Sequence, residues 1–249
     1  MFKNSTDSHE HSLDVLSMLY QYDSFLDSLE IIADMGCGEG FDTRWWAELA
    51  SRDDPPVPHN YKVYAVDTDT SKLDKKMLAD NKNIQVFEAD FETVHFPRKV
   101  DLIWSHDSFQ YALNPMNTLK HWNHYMNTNG MLILNVPVHT HYSYDRLQTQ
   151  VHSGAYYTYN ICNLMYMLAV NGFDCRDCFI YSQPNYGWIH FCVYKSYEPF
   201  DPKTTTLFDL ADKNLLSDSA MACLNKYGYL RQEELAFVWL DKDWRLARN

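Results

Sequence analysis

One short stretch, residues 31–40, constrains the fold of this chain more than any other. An apolar run ends in an acid, and glycines then alternate with other residues, in the order Ile31-Ile32-Ala33-Asp34-Met35-Gly36-Cys37-Gly38-Glu39-Gly40. Residues 42–50 then have a helix-like composition. Because glycine has no side chain, such a turn lets a ligand lie directly against the backbone. The pattern predicts a strand, a ligand-binding turn and a helix in succession.

Apolar runs and helix-like segments continue to alternate along the chain. We predict four further strands and two further helices; the strands cover residues 62–67, 84–90, 100–105 and 131–136, and the helices cover 71–79 and 117–126. Strands that alternate with helices predict a parallel sheet with right-handed crossovers. The proline-rich residues 51–60 predict a surface loop.

The pattern changes after Pro137. Residues 160–170 have the composition of a helix that closes at Gly172. Two predicted strands, 173–181 and 188–195, complete an α/β fold with a seven-stranded, mostly parallel sheet, helices on both faces and an antiparallel last strand. The residues from 198 onward form a helical extension, with helices predicted at 207–216, 220–227 and 232–241.

The composition favours a soluble protein with one well-filled core. The chain has 249 residues, 46% of them hydrophobic, and no stretch is long and apolar enough to span a bilayer. The first residues, Met1 to Glu10, are polar rather than signal-like. The net charge of -12 argues against a surface that neutralises many phosphates. Six scattered cysteines favour free thiols in a reducing cytoplasm.

Two classes of cofactor are bound by a glycine-rich turn of this kind. A nicotinamide-binding turn has the form Gly-x-Gly-x-x-Gly, and this chain has Phe41 where the third glycine would fall. An acid followed by x-Gly-x-Gly-x-Gly resembles instead the first motif of class I S-adenosylmethionine-dependent methyltransferases, in particular the broad type 11/12-like family that acts on small molecules. A sulfonium is cationic, so Asp34 and Glu39 suit it better than they suit a diphosphate.

Further landmarks of these methyltransferases follow in the expected order. Asp67 ends the second predicted strand, Asp90 and Phe91 follow the third, the fourth begins Val100-Asp101-Leu102-Ile103, and Asn129-Gly130 precedes the fifth. The resemblance implies that Asp67 binds the ribose hydroxyls and that Asp90 and Phe91 flank the adenine. It also implies that the residues at the end of the fourth strand lie beside the methionine moiety.

The resemblance extends to the fold and to the cofactor. It implies a Rossmann-like methyltransferase domain over residues 1–197. The apolar spacing in residues 7–29 predicts an N-terminal helix, which either caps the cofactor pocket or packs as an ordinary helix. We expect the extension over 198–249 to pack on the same domain. It implies S-adenosylmethionine as the cofactor. The candidate cofactor-binding residues are Asp34, Met35, Gly36, Cys37, Gly38, Asp67, Thr68, Asp90, Phe91 and Ser105.

One departure from a related motif narrows the choice of acceptor. Ser105-His106-Asp107-Ser108 follows the fourth strand, where amino-directed DNA methyltransferases and some protein glutamine methyltransferases have Asp/Asn-Pro-Pro-Tyr/Phe. The resemblance therefore excludes those two classes.

Methyl transfer from a sulfonium is an in-line displacement, in which a base is needed only if the acceptor must lose a proton. His106, His139 and His141 are the candidates for such a base. His139 and His141 also have the spacing of a metal pair, but a third ligand is not evident, so we predict that no metal is bound. Cys175 and Cys178 are interpreted as incidental thiols.

Tyrosines cluster between the fifth strand and the next helix, at Tyr142, Tyr144, Tyr156, Tyr157 and Tyr159. They are compatible with an aromatic wall of the acceptor pocket and, equally, with a packed lid.

We therefore predict a methyltransferase that acts on a small-molecule acceptor. We expect it to bind neither a membrane nor nucleic acid. The alternatives are an RNA or protein methyltransferase, a non-catalytic cofactor-binding module that docks a partner, and, more distantly, a nicotinamide enzyme.

Overall fold

The fold is built on one mixed β-sheet. The computed structural model describes residues 12, 29–49, 61–137, 156–157, 159–183, 188–235 and 238–239. The sheet contains β1 (Ile31–Met35), β2 (Lys62–Asp67), β3 (Ile84–Glu88), β4 (Val100–His106), β5 (Met126–Pro137), β6 (Phe173–Gln183), β7 (Trp188–Lys195) and β8 (Val238–Trp239). From one edge of the sheet to the other, the order of these strands is β3-β2-β1-β4-β5-β7-β6-β8.

The strand directions confirm the predicted fold class. Strands β1 to β5 pair in parallel, and β7 pairs antiparallel with both β5 and β6. The seven predicted strands are therefore all present, and their last strand is antiparallel. The two-residue β8, which pairs in parallel with β6, is an addition that the sequence did not predict.

Helices cover both faces of the sheet within the described part of the chain. They are α1 (Phe41–Leu49), α2 (Lys75–Asp80), α3 (Pro115–Tyr125), α4 (Ile161–Val170), α5 (Leu207–Asp212) and α6 (Asp218–Tyr227), with single 3₁₀ turns at Thr70–Lys72, Phe109–Tyr111 and Gln232–Glu234. Trp46 of α1 packs with Ile32 and Trp104 on one face. Trp122 of α3 and Leu164 of α4 belong to the core on the other face.

The alternation of side chains decides which residues share a face. In β1, Ile31, Ala33 and Met35 belong to the core on the α3 and α4 side, whereas Ile32 belongs to the core under α1. Because successive side chains of a strand point to opposite faces, Asp34 lies on the α1 face. All five residues of β1 are buried, which explains why this strand appears in the sequence as an uninterrupted apolar run with a single acid.

One carboxylate joins three chain segments at the amino end of the strands. Asp101 Oδ2 accepts the backbone N–H groups of Glu30 and Ile31, each at 2.9 Å, and its Oδ1 accepts Nδ2–H of Asn127 at 2.7 Å. The acid of the Val-Asp-Leu-Ile segment therefore holds β1, β4 and β5 together, at the opposite end of the strands from the glycine turn.

The fifth strand begins earlier than predicted. It runs from Met126, directly after α3, and its pairing with β4 is interrupted between Met126 and Met131. Asn129, at φ +61°, lies in this interruption. The Asn-Gly turn predicted from the sequence is thus a local irregularity inside a longer strand.

The predicted helix 71–79 is divided into two parts. The 3₁₀ turn Thr70–Lys72 is separated from α2 by Leu73 and Asp74, and the Asp74 side chain caps α2 by accepting the backbone N–H of Lys76. Short polar side chains such as this one favour helix starts over helix interiors.

The extension contacts α4 and β6. The backbone N–H of Phe200 donates to the carbonyl of Val170 at 2.8 Å, and that of Cys175 in β6 donates to the carbonyl of Leu215 at 3.0 Å. The helix predicted over 232–241 is wrong, because this segment contains a 3₁₀ turn and then β8. The division of the chain at residues 197 and 198 stays a prediction.

Several predicted features lie outside the described residues. They are the N-terminal cap helix apart from Ser12 and Leu29, the loop 51–60, and the histidines and tyrosines of 138–155. Among the helices that the structure describes, none is long and apolar enough to cross a membrane.

Candidate functional site

The glycine turn combines close packing at one residue with open space at another. Gly36, Gly38 and Gly40 all have positive φ, at +81°, +52° and +83°. A Cβ on Gly36 would lie 2.4 Å from Cβ of Ser108, whereas a Cβ on Gly38 would meet no atom within 4 Å. Gly36 is therefore required by the packing of the protein itself, and Gly38 leaves room above the backbone for a ligand.

Asp67 is tied to this turn by its carboxylate. Its Oδ2 accepts the backbone N–H of Gly38 and its Oδ1 accepts that of Asp69, each at 2.9 Å. The backbone N–H groups of Gly36 and Cys37 both donate to the carbonyl of Val66, the residue before Asp67. Each carboxylate oxygen can accept a further hydrogen bond, so Asp67 presents a fixed acceptor beside the open side of Gly38.

Asp34 lies beneath the first turn of α1. Its buried carboxyl group accepts the hydroxyl of Thr43 at 2.5 Å. Burial, together with the charge of Asp42, raises the pKa of Asp34 well above its usual range and so favours the protonated form. The acid of the glycine motif thus positions α1, and the predicted role of its charge beside a sulfonium stays a prediction.

The thiol of Cys37 is also protonated. Burial, and then the charges of Asp34 and Asp67, raise the pKa of Cys37 well above its usual range. Its contribution to the site is the backbone of the turn.

Asp90 and Phe91 follow β3 at the same end of the sheet. Asp90 is exposed, and its Oδ1 accepts the backbone N–H of Glu92 at 2.8 Å. The Phe91 ring makes an edge-to-face contact with Trp122, with 5.9 Å between ring centroids, and the Phe91 carbonyl accepts Nε1–H of Trp122. Thr68 is exposed directly after Asp67.

Ser105 and Ser108 connect the end of β4 to the turn. The Ser108 hydroxyl donates to the carbonyl of Met35 at 2.6 Å and bonds to the Ser105 hydroxyl at 2.8 Å. Both serines are buried, as is Met35. Ser105 therefore stabilises the start of the glycine turn through its hydrogen bond with Ser108.

His106, the last residue of β4, faces a carboxylate. It is buried, its Nδ1 lies 3.7 Å from Oδ2 of Asp42, and its ring stacks on Trp104. Nε1–H of Trp104 donates to the same Asp42 oxygen at 2.9 Å, and the Ser12 hydroxyl donates to the other Asp42 oxygen at 2.6 Å. Asp42 is thus held in place beside the Nδ1 atom of His106. The other candidate bases, His139 and His141, lie outside the described residues.

The described tyrosines after β5 differ in exposure. Tyr159 is buried and stacks on Phe109, with 5.3 Å between ring centroids. Tyr156 is 62% exposed, and the backbone N–H groups of Tyr156 and Tyr157 donate to the carbonyl of Gln110. One of these tyrosines therefore packs in the core, and the others lie at the surface close to the end of β4.

Four polar residues near this end of the sheet were not predicted as site residues. The Gln110 side chain donates to Oδ1 of Asp107 at 2.5 Å, and burial raises the pKa of Asp107 to about 6. The fully buried His190 and Asn135 are joined at 2.5 Å between Nδ1 and Oδ1. Asn135 interrupts the apolar run of β5, a signal that could have identified it, whereas nothing in the sequence near His190 indicated a partner on β5.

The described residues contain no group of three or more His, Cys, Asp or Glu side chains that could hold a metal ion. Cys175 is buried in the core beside the Met165 carbonyl. Its environment is that of a packed thiol.

A family model of a methyltransferase domain matches residues 33–134. This range runs from β1 through the turn, β2, β3 and β4 into β5, and it contains every candidate cofactor-binding residue. The match confirms the resemblance drawn from the motifs. No curated protein matches the chain.

Solved structures with the same fold include three methyltransferases. The Synechocystis magnesium protoporphyrin IX methyltransferase with bound SAH has a TM-score of 0.57 and 16% identity, over 79% of this chain and 90% of that one. The Burkholderia thailandensis 1,6-didemethyltoxoflavin-N1-methyltransferase, with its substrate and S-adenosylhomocysteine, has a TM-score of 0.53 and 14% identity, over 67% and 71%.

The third is Haemonchus contortus phosphoethanolamine N-methyltransferase 2 in complex with S-adenosyl-L-methionine. Its TM-score is 0.55 at 14% identity, over 68% of this chain and 49% of that one. At these identities the similarity establishes the shared fold.

Proposed function

We propose that this chain, whose residues 33–134 match a family model of a methyltransferase domain, transfers a methyl group from S-adenosylmethionine to a small-molecule acceptor. The observation that carries the proposal is the open space at Gly38 directly beside the fixed carboxylate of Asp67. A backbone without a side chain next to a carboxylate with remaining acceptor capacity is the arrangement that a ribose diol requires.

The other residues at this end of the sheet fit the rest of the cofactor. Asp90 and Phe91 follow the neighbouring strand and would bind the adenine, with the Phe91 ring already held by Trp122. The backbone of Gly36 and Cys37 would lie along the methionine portion. When bound, S-adenosylmethionine supplies a methyl group on a positively charged sulfur.

The residues of the chain would contribute alignment and exclusion of water. Displacement at a sulfonium requires the acceptor atom to lie in line behind the methyl carbon, so rigid positioning is the main catalytic contribution. The Ser105–Ser108–Met35 hydrogen bonds, which hold the turn against β4, supply that rigidity.

His106 is the best-supported base among the three histidines. Its Nδ1 faces the buried Asp42, and a carboxylate in that position favours the tautomer with the proton on Nδ1. Nε2 then carries the lone pair that can receive a proton from an acceptor. Asp42 acts as the positioning residue for this ring.

The acidic net charge of -12 supports a small-molecule acceptor over RNA, because an RNA-binding surface would need many positive charges. Two of the solved structures with this fold are named for action on 1,6-didemethyltoxoflavin and phosphoethanolamine, which are both small molecules.

The test is calorimetric titration of S-adenosylmethionine into the folded protein and into Asp67→Ala. Loss of a carboxylate that accepts the ribose hydroxyls should weaken binding by about ten- to a hundredfold. Asp80→Ala is the matched control, since Asp80 is an exposed acid at the end of α2. Absence of binding to the folded wild-type protein, for both S-adenosylmethionine and S-adenosylhomocysteine, would overturn the proposal.

A further inference from the structure

We propose that His106 and Asn135 together select a hydroxyl oxygen as the methyl acceptor, and that His190 is the positioning residue that orients Asn135. This inference rests on the proposed function and specifies the acceptor of the same site. It assigns roles to two residues, Asn135 and His190, that lie outside the motifs of the glycine turn.

The three side chains form a row across neighbouring strands. His106 of β4 is in register with Asn135 of β5, and Asn135 is in register with His190 of β7. All three lie on the α1 face of the sheet, since they alternate with residues of the opposite core, such as Leu134 and Phe191. Residues directly opposite each other on one face have Cβ atoms about 5 Å apart, so the side chains are direct neighbours.

The Asn135 amide presents its Oδ1 atom to Nδ1 of His190. Oδ1 of an asparagine only accepts hydrogen bonds, so the 2.5 Å contact requires the proton to lie on Nδ1 of His190. Nδ2 of Asn135 is consequently the part of the amide that remains for other groups. It is buried, and within the described residues it has no hydrogen-bond partner.

A buried amide N–H group without an acceptor destabilises the fold, because it has given up its hydrogen bonds to water. Such a group is an ordinary feature of a site whose ligand supplies the missing acceptor. The position is appropriate, because Asn135 lies near the carboxyl end of β5, at the same edge as the glycine turn. The ligand atom that meets Nδ2 must therefore carry a lone pair.

The combination of a base and a donor separates oxygen from nitrogen acceptors. A hydroxyl oxygen has two lone pairs and one proton. It can donate the proton to Nε2 of His106, accept from Nδ2 of Asn135, and still direct a lone pair at the methyl carbon. A neutral amine has a single lone pair, and a hydrogen bond from Asn135 would occupy the pair that must attack.

The chemistry further favours an acidic hydroxyl. The proton passes to Nε2 of His106, an oxygen lone pair forms the bond to the methyl carbon, and the electron pair of the broken carbon–sulfur bond stays on sulfur. Phenols lose a proton near pH 10, within reach of an imidazole base assisted by Asp42. The predicted acceptor class is thus a small molecule with a phenolic or enolic hydroxyl.

The experiment measures binding of small aromatic fragments to the protein saturated with S-adenosylhomocysteine. The fragments are used in matched pairs that differ only in a hydroxyl or an amino group on the same ring. We expect the hydroxyl members to bind about three- to tenfold more tightly, the contribution of one hydrogen bond. Ligand-observed NMR gives the affinities.

Two variants make the result specific to Asn135. Asn135→Asp keeps an acceptor for His190 but removes the Nδ2 donor, and Asn135→Leu removes both. Each should abolish the preference for hydroxyl fragments while the affinity for S-adenosylhomocysteine is unchanged. Ile133→Leu, a change of similar volume on the same face of β5, is the control and should retain the preference.

Equal or tighter binding of the amino members would overturn the inference. So would retention of the preference in both Asn135 variants, or failure of all fragments of both kinds to bind. If the wild-type protein did not bind S-adenosylhomocysteine, the proposed function itself would be contradicted. Failure of this inference is therefore distinguishable from failure of the proposed function.

Discussion

The two halves of the sheet are built in different ways. The cofactor half, defined as β1, β2 and β3 with their turns, places Asp67 at the end of a strand and Asp90 just after one, and it holds Asp67 by backbone contacts such as the N–H of Gly38. The acceptor half, defined as β4, β5 and β7, places His106 at the end of β4 and Asn135 and His190 inside their strands, and it holds all three by side-chain contacts.

Under the proposed function, this difference sets how freely each half can change its ligand. A backbone cradle accepts one shape of ligand and depends on a few glycines, so its sequence has little freedom. Side chains in adjacent strands can be exchanged without altering the backbone, so the acceptor half can change its ligand while the fold persists.

The largest predicted effect concerns Gly36 and Gly38 of the glycine turn. Gly36→Ala should reduce the free energy of unfolding by about 3 kcal/mol or more, since the new Cβ would clash with Ser108 at a positive φ. Gly38→Ala should cost only about 1 kcal/mol, for its φ alone, yet weaken S-adenosylmethionine binding by at least about tenfold. Urea unfolding and calorimetry measure the two quantities.

Equal losses of stability in the two variants would contradict the separation of roles between these glycines. Unchanged cofactor affinity in Gly38→Ala would show that the open space beside Asp67 is not where the ligand lies.

The next effect concerns Asp107, a half-buried acid directly after β4. The pKa of Asp107, raised by burial from 3.8 to about 6, lies above that of the unfolded chain. The folded state therefore keeps a proton that the unfolded state loses, and the free energy of unfolding falls as the pH rises from about 4 to about 6. Asp107→Asn should remove this fall in the free energy of unfolding. Relative to wild type, the variant should therefore become more stable by about 2–3 kcal/mol as the pH rises from about 4 to about 6.

The control is an exposed acid of the cofactor half. The Ser71 hydroxyl, and then the Ser71 backbone N–H, hold the pKa of Asp69 below 3.8. Asp69 therefore stabilises the fold above about pH 4, and this stabilisation is lost as the pH falls through its lowered pKa. Asp69→Asn should show a pH effect of opposite sign in urea titrations; the same sign for both variants would contradict the burial of Asp107.

The smallest effect tests His190 as a positioning residue. His190→Leu should remove the donor to Asn135 and reduce the preference for hydroxyl fragments by about three- to tenfold. His190→Gln keeps an N–H donor and should restore most of that preference. If both variants behave alike in the fragment assay, His190 contributes only packing.

The cofactor half could be predicted from the sequence because its signals are local. Asp34 to Gly40 are contiguous, and Asp67 and Asp90 each end or follow an apolar run. Each of these residues can therefore be identified from the residues next to it in the sequence. The pairing of Asn135 with His190 depends on the antiparallel register of β5 and β7, which involves residues far apart in the chain.

The end of the extension shows a second limit. Residues 232–241 have a pattern compatible with a helix, but Val238 and Trp239 pair with Phe179 and Ile180 of β6. Short apolar runs take the conformation that their tertiary partners favour, and that partner is not visible in the local pattern.

The way the extension meets β6 also bears on the behaviour of the protein in solution. An outer strand leaves backbone N–H and C=O groups ready to pair with a second molecule, and sheets with bare outer strands tend to aggregate. Here Leu216 lies beside Cys175, and Val238 and Trp239 lie beside Phe179 and Ile180, so the extension covers the outer side of β6 at two points. The extension thus pairs with the outer side of β6, and a chain shortened to residue 197 would expose this edge to pairing with a second molecule.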